Sequence, residues 1–201
     1  MLRVAATVPC TVAEGPFRRF AVWVRGCSLR CAGCCNPELF EPGGDATPVA
    51  SLGLADARDA HGLEGITVLG GEPLEQIDGV IELAEHARAL GLGVIVFSGY
   101  TREEATQREG FARLWSAIDT LVDGRFDART LDGDRRYVGS ANQVLHHRTD
   151  RYAAPELWRG PKRVEIHIGA GDRVDVIGDP SAVRRVVASA PWRSPRRSSG
   201  S

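Results

Sequence analysis

The sequence predicts an α/β protein built as an incomplete, open β/α barrel. Three observations lead there. Between residues 20 and 122, short apolar runs alternate with longer segments of helical period, the β-α-β-α order of a parallel sheet. The run Val94-Ile95-Val96-Phe97 is apolar throughout, as strands covered on both faces are. The 201 residues fall short of the ~250 that eight complete units need, so the barrel must stay open. One domain is expected over residues 1–193, with a disordered tail at 194–201.

Taken in order, Leu2 to Val8 reads as a short first strand at the sheet edge, followed by Cys10 as a small buried or free thiol. Phe20-Ala21-Val22-Trp23-Val24 is β-branched and aromatic and reads as a buried strand. Residues 37–48 carry Pro37, Pro42, Gly43, Gly44 and Pro48 and read as a loop. A helix is expected over 49–61, weakened by Gly53, and a strand over Gly65–Leu69. From Glu75 to Leu90, apolar residues recur at Ile77, Val80, Ile81, Leu83, Ala84, Ala87 and Leu90, a helical period closed by Gly91. The strand Val94–Phe97, a helix over about 101–116 and the strand Ile118–Val122 continue the alternation. Residues 127–138 read as a charged surface loop and Asn142–His146 as a further strand. Val164–Ile168 and Val174–Ile177 flank Gly169, Gly171 and Asp172, the spacing of a hairpin. A short helix, Ala182–Ser189, precedes the tail.

The chemistry concentrates after the first buried strand. Gly26-Cys27-Ser28-Leu29-Arg30-Cys31-Ala32-Gly33-Cys34-Cys35-Asn36 spaces Cys27, Cys31 and Cys34 as C-x3-C-x2-C. Three thiolates on one short loop can reach one metal centre, and soft sulfur suits zinc or an iron–sulfur cluster. A closed structural zinc site wants four protein ligands, so zinc would have to recruit Cys10, Cys35 or a histidine. A cubane held by three thiolates instead keeps one iron open to a ligand from outside the protein. Cys35 makes the register ambiguous, because it abuts the third cysteine. Five cysteines, three of them crowded on one loop, read as metal ligands in a reducing compartment rather than as disulfides.

Further along, Gly70-Gly71-Glu72-Pro73 directly follows a strand. The glycines would let a ligand approach the backbone closely, with Glu72 meeting a cation. The plain alternative is a strand-to-helix turn with Glu72 and Glu75 favouring the helix N-terminus. Ser98 and Gly99 end the next strand and Asp123 the one after, where parallel α/β folds collect their sites. Asp123 could accept a hydrogen bond from a ribose or a substrate. His146 and His147 are adjacent on a strand, face opposite sides and read as surface and packing residues. Neither G-x-G-x-x-G nor G-x4-G-K-[ST] occurs, so nucleotide folds of those kinds are unsupported.

A formal net charge of −1 provides no basic field for nucleic acid. No apolar run approaches the ~20 residues that cross a bilayer. The first ten residues lack a charged segment followed by a long apolar one. The expectation is a cytoplasmic protein with no nucleic-acid and no membrane partner.

In this order the motifs resemble the radical SAM superfamily, and within it the small activating enzymes of the anaerobic ribonucleotide reductase type. The likeness spans about residues 14–147. It includes Glu14-Gly15-Pro16 before the cysteine loop, and Phe97-Ser98-Gly99-Tyr100-Thr101, Leu121-Val122-Asp123-Gly124 and Gly139-Ser140-Ala141-Asn142-Gln143 after the double glycine. The resemblance implies the open barrel of the radical SAM type, here ending in a short C-terminal hairpin. It implies a [4Fe–4S] cluster on Cys27, Cys31 and Cys34. It further implies S-adenosylmethionine bound at Gly70, Gly71, Glu72 and Pro73, with contacts from Ser98, Gly99 and Asp123. The family usually carries an aromatic residue after the third cysteine, then Asn. Cys35 holds that place before Asn36, which reads it as an apolar replacement and not a ligand. Asn142 receives no role from its chemistry.

The implied reaction is reductive cleavage of S-adenosylmethionine to methionine and a 5′-deoxyadenosyl radical, which takes a hydrogen atom from a glycine Cα of a partner glycyl radical enzyme. The cluster and the cofactor carry that chemistry, so no side chain is assigned as catalytic. With one set of cluster ligands, the electron must come from an external donor such as a flavodoxin or ferredoxin. Two other classes share the loop: a radical SAM enzyme that modifies a peptide or small molecule, and a non-catalytic iron–sulfur or zinc module. Peptide-modifying relatives often carry extra C-terminal cysteines, and none follows Cys35, which favours the activase.

Overall fold

The computed structural model describes residues 1–168, 174–179 and 183. Along the chain run β1 (Leu2–Thr11), β2 (Arg19–Val24), β3 (Ala46–Thr47), α1 (Leu54–His61), β4 (Gly65–Gly70), α2 (Ile77–Ala89), β5 (Gly93–Phe97), α3 (Arg102–Thr106), α4 (Phe111–Ala117), β6 (Thr120–Asp123), β7 (Val144–His147), β8 (Val164–Ile168) and β9 (Val174–Gly178). Among the described residues, seven strands form one sheet in the order β3-β1-β2-β4-β5-β6-β7, while β8 and β9 pair as a separate hairpin. The centre, β2-β4-β5-β6, is parallel. The flanks are antiparallel: β3 on β1, β1 on β2, and β7 on β6. The α/β class and the C-terminal hairpin match the sequence reading, and the sheet is mixed. No helix among the described residues is long and apolar enough to cross a membrane.

The strands alternate with period two, and the alternation decides what each face meets. Phe20, Val22 and Val24 of β2, Ile66 and Val68 of β4, Val94 and Val96 of β5 and Leu121 of β6 share one face. There they pack with Leu54 of α1, Val80 and Leu83 of α2, Ala105 of α3 and Leu114 of α4 in the main core. Helices α1 to α4 therefore contribute to one core on one face, and successive parallel strands are neighbours. The chain winds one way, without the reversal of strand order that defines a doubly wound sheet. On the opposite face, Ile95 and Val122 pack with Val138, Tyr152 and Trp158 in a second, smaller core.

Several expected elements change length or place. The first strand has ten residues, includes Cys10, and lies inside the sheet. Two residues of the expected 37–48 loop form β3 and cover it, pairing Leu2 with Thr47 and Arg3 with Ala46; so short a strand shows no period in a sequence. The helix expected over 49–61 breaks at Gly53 (φ 70°), leaving a 3-10 turn and α1, and the one expected over 101–116 breaks before Gly110 (φ 83°) into α3 and α4. The stretch 127–138 holds no helix or regular strand, yet it is not all surface, since Asp132 and Val138 are buried. The expected helix Ala182–Ser189, apart from Val183, and the tail lie outside the described residues.

At the amino ends of the parallel strands, Arg19 is fully buried. Its guanidinium donates to Thr67 Oγ1 (2.7 Å), Tyr152 Oη (2.9 Å), the carbonyls of Pro16, Ile66 and Gly93, and Glu64 Oε2 (3.2 Å). Tyr152 Oη also donates to Glu64. Thr67 Oγ1 in turn donates to the Glu14 carbonyl (2.8 Å), so the Glu14-Gly15-Pro16 segment belongs to this amino-end network. Every donor of a buried arginine needs a partner, and here the partners tie β2, β4 and β5 to the segment that covers their second face. Breaking a buried pair from one side costs about 3–5 kcal/mol. Arg19→Met is expected to lower the unfolding free energy by about that amount in urea titrations, whereas the same change at exposed Arg18 should cost about 0.5 kcal/mol.

Candidate functional site

Because β2, β4, β5 and β6 are parallel, their carboxyl ends share one edge of the sheet. The cysteine loop leaves β2 there, the double glycine leaves β4, Ser98 and Gly99 leave β5, and Asp123 closes β6. The cysteine loop is hung on its neighbours through the backbone. Gly71 N–H donates to Val24 O (2.8 Å) and Glu72 N–H to Gly26 O (2.7 Å), while Gly26 and Cys27 donate to Leu39 O (2.8 Å) and Phe40 O (2.9 Å). A Cβ on Gly70 would lie 2.5 Å from Val24 N, and one on Gly71 would collide with Gly26 O. The close approach that these glycines permit is thus, first, that of the chain's own cysteine loop.

Side chains complete the attachment. The Glu75 carboxylate accepts from Ser28 N–H (3.0 Å), Ser28 Oγ and Tyr100 Oη (3.1 Å), so it grips the residue next to Cys27. Arg108 stacks on the Tyr100 ring at 4.4 Å. Leu29 occupies the space a Cβ on Gly99 would need. Glu72 is buried and accepts three hydrogen bonds: from Leu74 N–H (2.8 Å) and Ser98 Oγ (2.8 Å) on Oε1, and from Gly99 N–H (2.7 Å) on Oε2. The sequence reading gives Glu72 a cation; the structure engages it in locking the β4 turn to the β5 turn. Pro73, buried, opens the following 3-10 turn.

Cys27, Cys31 and Cys34 are half-buried, Cys35 is exposed, and none is in a disulfide. Burial pushes the Cys27 thiol up, and Glu72 and Glu75 nearby add to the shift. A hydrogen bond from the Cys35 thiol, aided by the Asn36 N–H (3.5 Å), brings Cys34 down to about 6, and the same contact moves Cys35 up. Thiolates are the form that binds metal. Three thiols on one loop fit an iron–sulfur cluster in donor chemistry. Among the described residues no three His, Cys, Asp or Glu side chains already converge as a metal-holding group. Cys10 lies apart on β1, its thiol raised mainly by burial.

At the far side of the same edge, buried Asp123 lines a cleft of about 340 Å³ together with Thr101, Glu103, Asn142 and His146. Its Oδ2 accepts from Arg102 N–H (2.5 Å) and lies 2.9 Å from His146 Nε2. Arg125 also lines this cleft and pairs with Glu104. The block Gly139–Gln143 also finds its role. Asn142 Nδ2 donates to Arg125 O (2.8 Å), Gln143 Nε2 to Gly124 O (3.0 Å), and Gln143 Oε1 accepts from the N–H groups of Gly139 and Ser140. These residues hold the loop after β6 in shape. Sequence reasoning missed Glu75 and Tyr100 as clamps and His146 as a site residue. The signal for His146 was its strand, which pairs with the one ending in Asp123.

A family model described as a 4Fe–4S single cluster domain matches residues 13–146. The chain is 29% identical over 147 residues to the anaerobic ribonucleoside-triphosphate reductase-activating protein of Salmonella typhi, covering 69% of this chain and 94% of that one. To the protein of the same name from Escherichia coli (strain K12) it is 28% identical over 149 residues, with the same shares covered. It is 34% identical over 128 residues to the pyruvate formate-lyase-activating enzyme of Listeria monocytogenes, covering 60% of this chain and 51% of that one.

Burial holds the Glu72 carboxyl up at about 7, against the pull of its three donors. A value raised on folding means that the native state keeps the proton longer. That stabilisation is complete below the unfolded value near about 4.3 and is lost as pH rises through about 7. In urea titrations of the metal-free chain from about pH 5 to pH 8, Glu72→Gln should lose part of the wild-type decline in stability. An identical decline in both proteins would mean that Glu72 ionises freely in the fold.

Proposed function

Matched over residues 13–146, the chain belongs to the 4Fe–4S single cluster domain family, and on that premise we propose that it is a radical SAM enzyme that generates a glycyl radical on a partner protein of the anaerobic ribonucleotide reductase type. One observation carries the reading. A C-x3-C-x2-C loop stands at the carboxyl edge of four parallel strands, in a chain that aligns with 94% of the length of an activating protein. The one-way sheet is then the open barrel of that superfamily, with β3 and β7 as edges that do not meet.

In this reading Cys27, Cys31 and Cys34 hold the [4Fe–4S] cluster, and Cys35 stands beside the third ligand without replacing it. When bound, the cluster and S-adenosylmethionine supply one-electron reductive chemistry that ends in abstraction of a hydrogen atom. The chain's own residues do the placing. Glu75 and Tyr100 fix Ser28, beside the first ligand. Glu72 is already engaged by three donors, so it acts on the cofactor through the shape of the Gly70–Pro73 turn. Ser98 and Gly99 form the adjoining wall, and Asp123 offers an acceptor at the far side. Held rigidly, these groups keep the reacting carbon close to one chosen hydrogen and away from others. The half-buried thiols leave the centre within reach of an external electron donor, a flavodoxin or ferredoxin. We place the protein in the cytoplasm on the same grounds of redox chemistry.

Two experiments test the proposal. Anaerobic reconstitution should yield about four irons and four sulfides per chain. Cys27→Ala, Cys31→Ala and Cys34→Ala should each abolish the cluster, while Cys10→Ala and Cys35→Ala should retain it. A cluster that survives Cys34→Ala and is lost in Cys35→Ala would reverse the register, and bound zinc without iron would leave only a metal-binding module.

The reduced protein, mixed without oxygen with S-adenosylmethionine and a glycyl radical enzyme encoded beside it, should give a doublet glycyl radical signal. One deuterium from α-deuterated glycine in that partner should appear in 5′-deoxyadenosine. Deuterium transfer from a small metabolite, with no protein radical, would overturn the activase reading and keep the radical SAM one.

A further inference from the structure

We infer that His146 is a positioning residue: it orients the Asp123 carboxylate in the cleft at the β6–β7 end so that one oxygen is presented to the ribose hydroxyls of S-adenosylmethionine. The inference rests on the function proposed above. Asp123 closes β6 and is buried. Among the described residues, both hydrogen bonds to its carboxylate fall on Oδ2, from Arg102 N–H on α3 and from His146 Nε2 on β7 at 2.9 Å. Two donors from two separate elements stop the carboxylate from rotating. An ionised carboxylate only accepts, so in this contact the imidazole donates through Nε2. With Oδ2 occupied, Oδ1 is the oxygen left for a ligand.

The cleft of about 340 Å³ lies within the size range of small-molecule sites. Around His146 stand Asp123 from β6, Glu103 from α3 and His147 from its own strand, and the His146 side chain is 20% exposed. If His146 served only to pack β7 on β6, a shape-conserving replacement would do as well with or without a donor at the Nε2 position. A positioning role instead requires a donor at that position, since a carboxylate free to turn gives a hydroxyl a poorer acceptor. His147 provides a contrast on the same strand. Its Nδ1 lies 2.9 Å from Thr120 Oγ1, and its ring packs on Trp158, away from the cleft.

The test uses the cluster-loaded protein and S-adenosylmethionine, with affinity read by anaerobic calorimetry, and the thermal midpoint and iron content read in parallel. His146→Gln, whose amide nitrogen can reach the Nε2 position, should bind within about threefold of wild type. His146→Leu and His146→Asn, which offer no donor there, should each bind about tenfold more weakly at unchanged iron content. His146→Asn keeps the test decisive if the leucine variant fails to fold. Wild-type affinity in the donor-deficient variants, or equal weakening in all three, would overturn the inference while the function stands. A wild-type protein that holds its cluster and binds no S-adenosylmethionine would overturn both.

Discussion

The fold depends on one close approach, that of the Gly70–Gly71 turn to the backbone of Val24–Gly26. Three links of chemistry meet there. The parallel pairing of β2 and β4 runs to its last residues, Val24 and Gly70. The next two N–H groups, of Gly71 and Glu72, then donate to Val24 and Gly26 and carry the pairing past the sheet into the loop. Side chains at positions 70 and 71 would push the two segments apart. A loop that must present three thiols cannot supply a core of its own, so it borrows rigidity from the strand beside it.

Around that contact the site is built as a chain of carboxylates that accept from N–H and O–H groups. Glu72 ties β4 to β5, Glu75 ties the helix start to the cysteine loop, and Asp123 ties β6 to α3 and β7. None of the three is spent in an ion pair with an arginine or lysine among the described residues. Carboxylates satisfied by N–H and O–H groups are held by direction as well as by charge, which suits a site that must place a carbon atom within a fraction of an ångström. The cost is a buried acid, and Glu72 shows it in a carboxyl raised to about 7.

Stability and chemistry occupy opposite ends of the parallel strands. At the amino ends, Arg19, Glu64 and Tyr152 fasten the covering segment to the sheet. At the carboxyl ends the loops meet through backbone at Gly70 and Gly71 and through the carboxylates of Glu72, Glu75 and Asp123. This division is general in parallel α/β proteins, where the turns after the strands are free to vary while the other end closes the core.

Much of this was legible in the residues. The α/β alternation, the hairpin at 164–177, the cysteine spacing and the family all followed from local pattern, because apolar period and ligand spacing are properties of adjacent residues. The two-residue β3, the interior place of β1 and the break at Gly110 were not legible, because each depends on a partner far along the chain or on which of two allowed conformations packs better. The site divides in the same way. Sequence alone named the candidate cluster ligands, Cys27, Cys31 and Cys34, with Cys35 beside them. Only the tertiary structure decided what Glu72, Glu75, Asn142 and His146 do. A carboxylate, an amide or an imidazole takes its role from the group it faces. Here those groups lie between 17 and 47 positions away, as in Asn142 to Gly124's neighbour Arg125, His146 to Asp123, Glu72 to Ser98 and Glu75 to Ser28. Such separations leave no trace in the order of neighbouring residues, and only the pairing of strands brings them together.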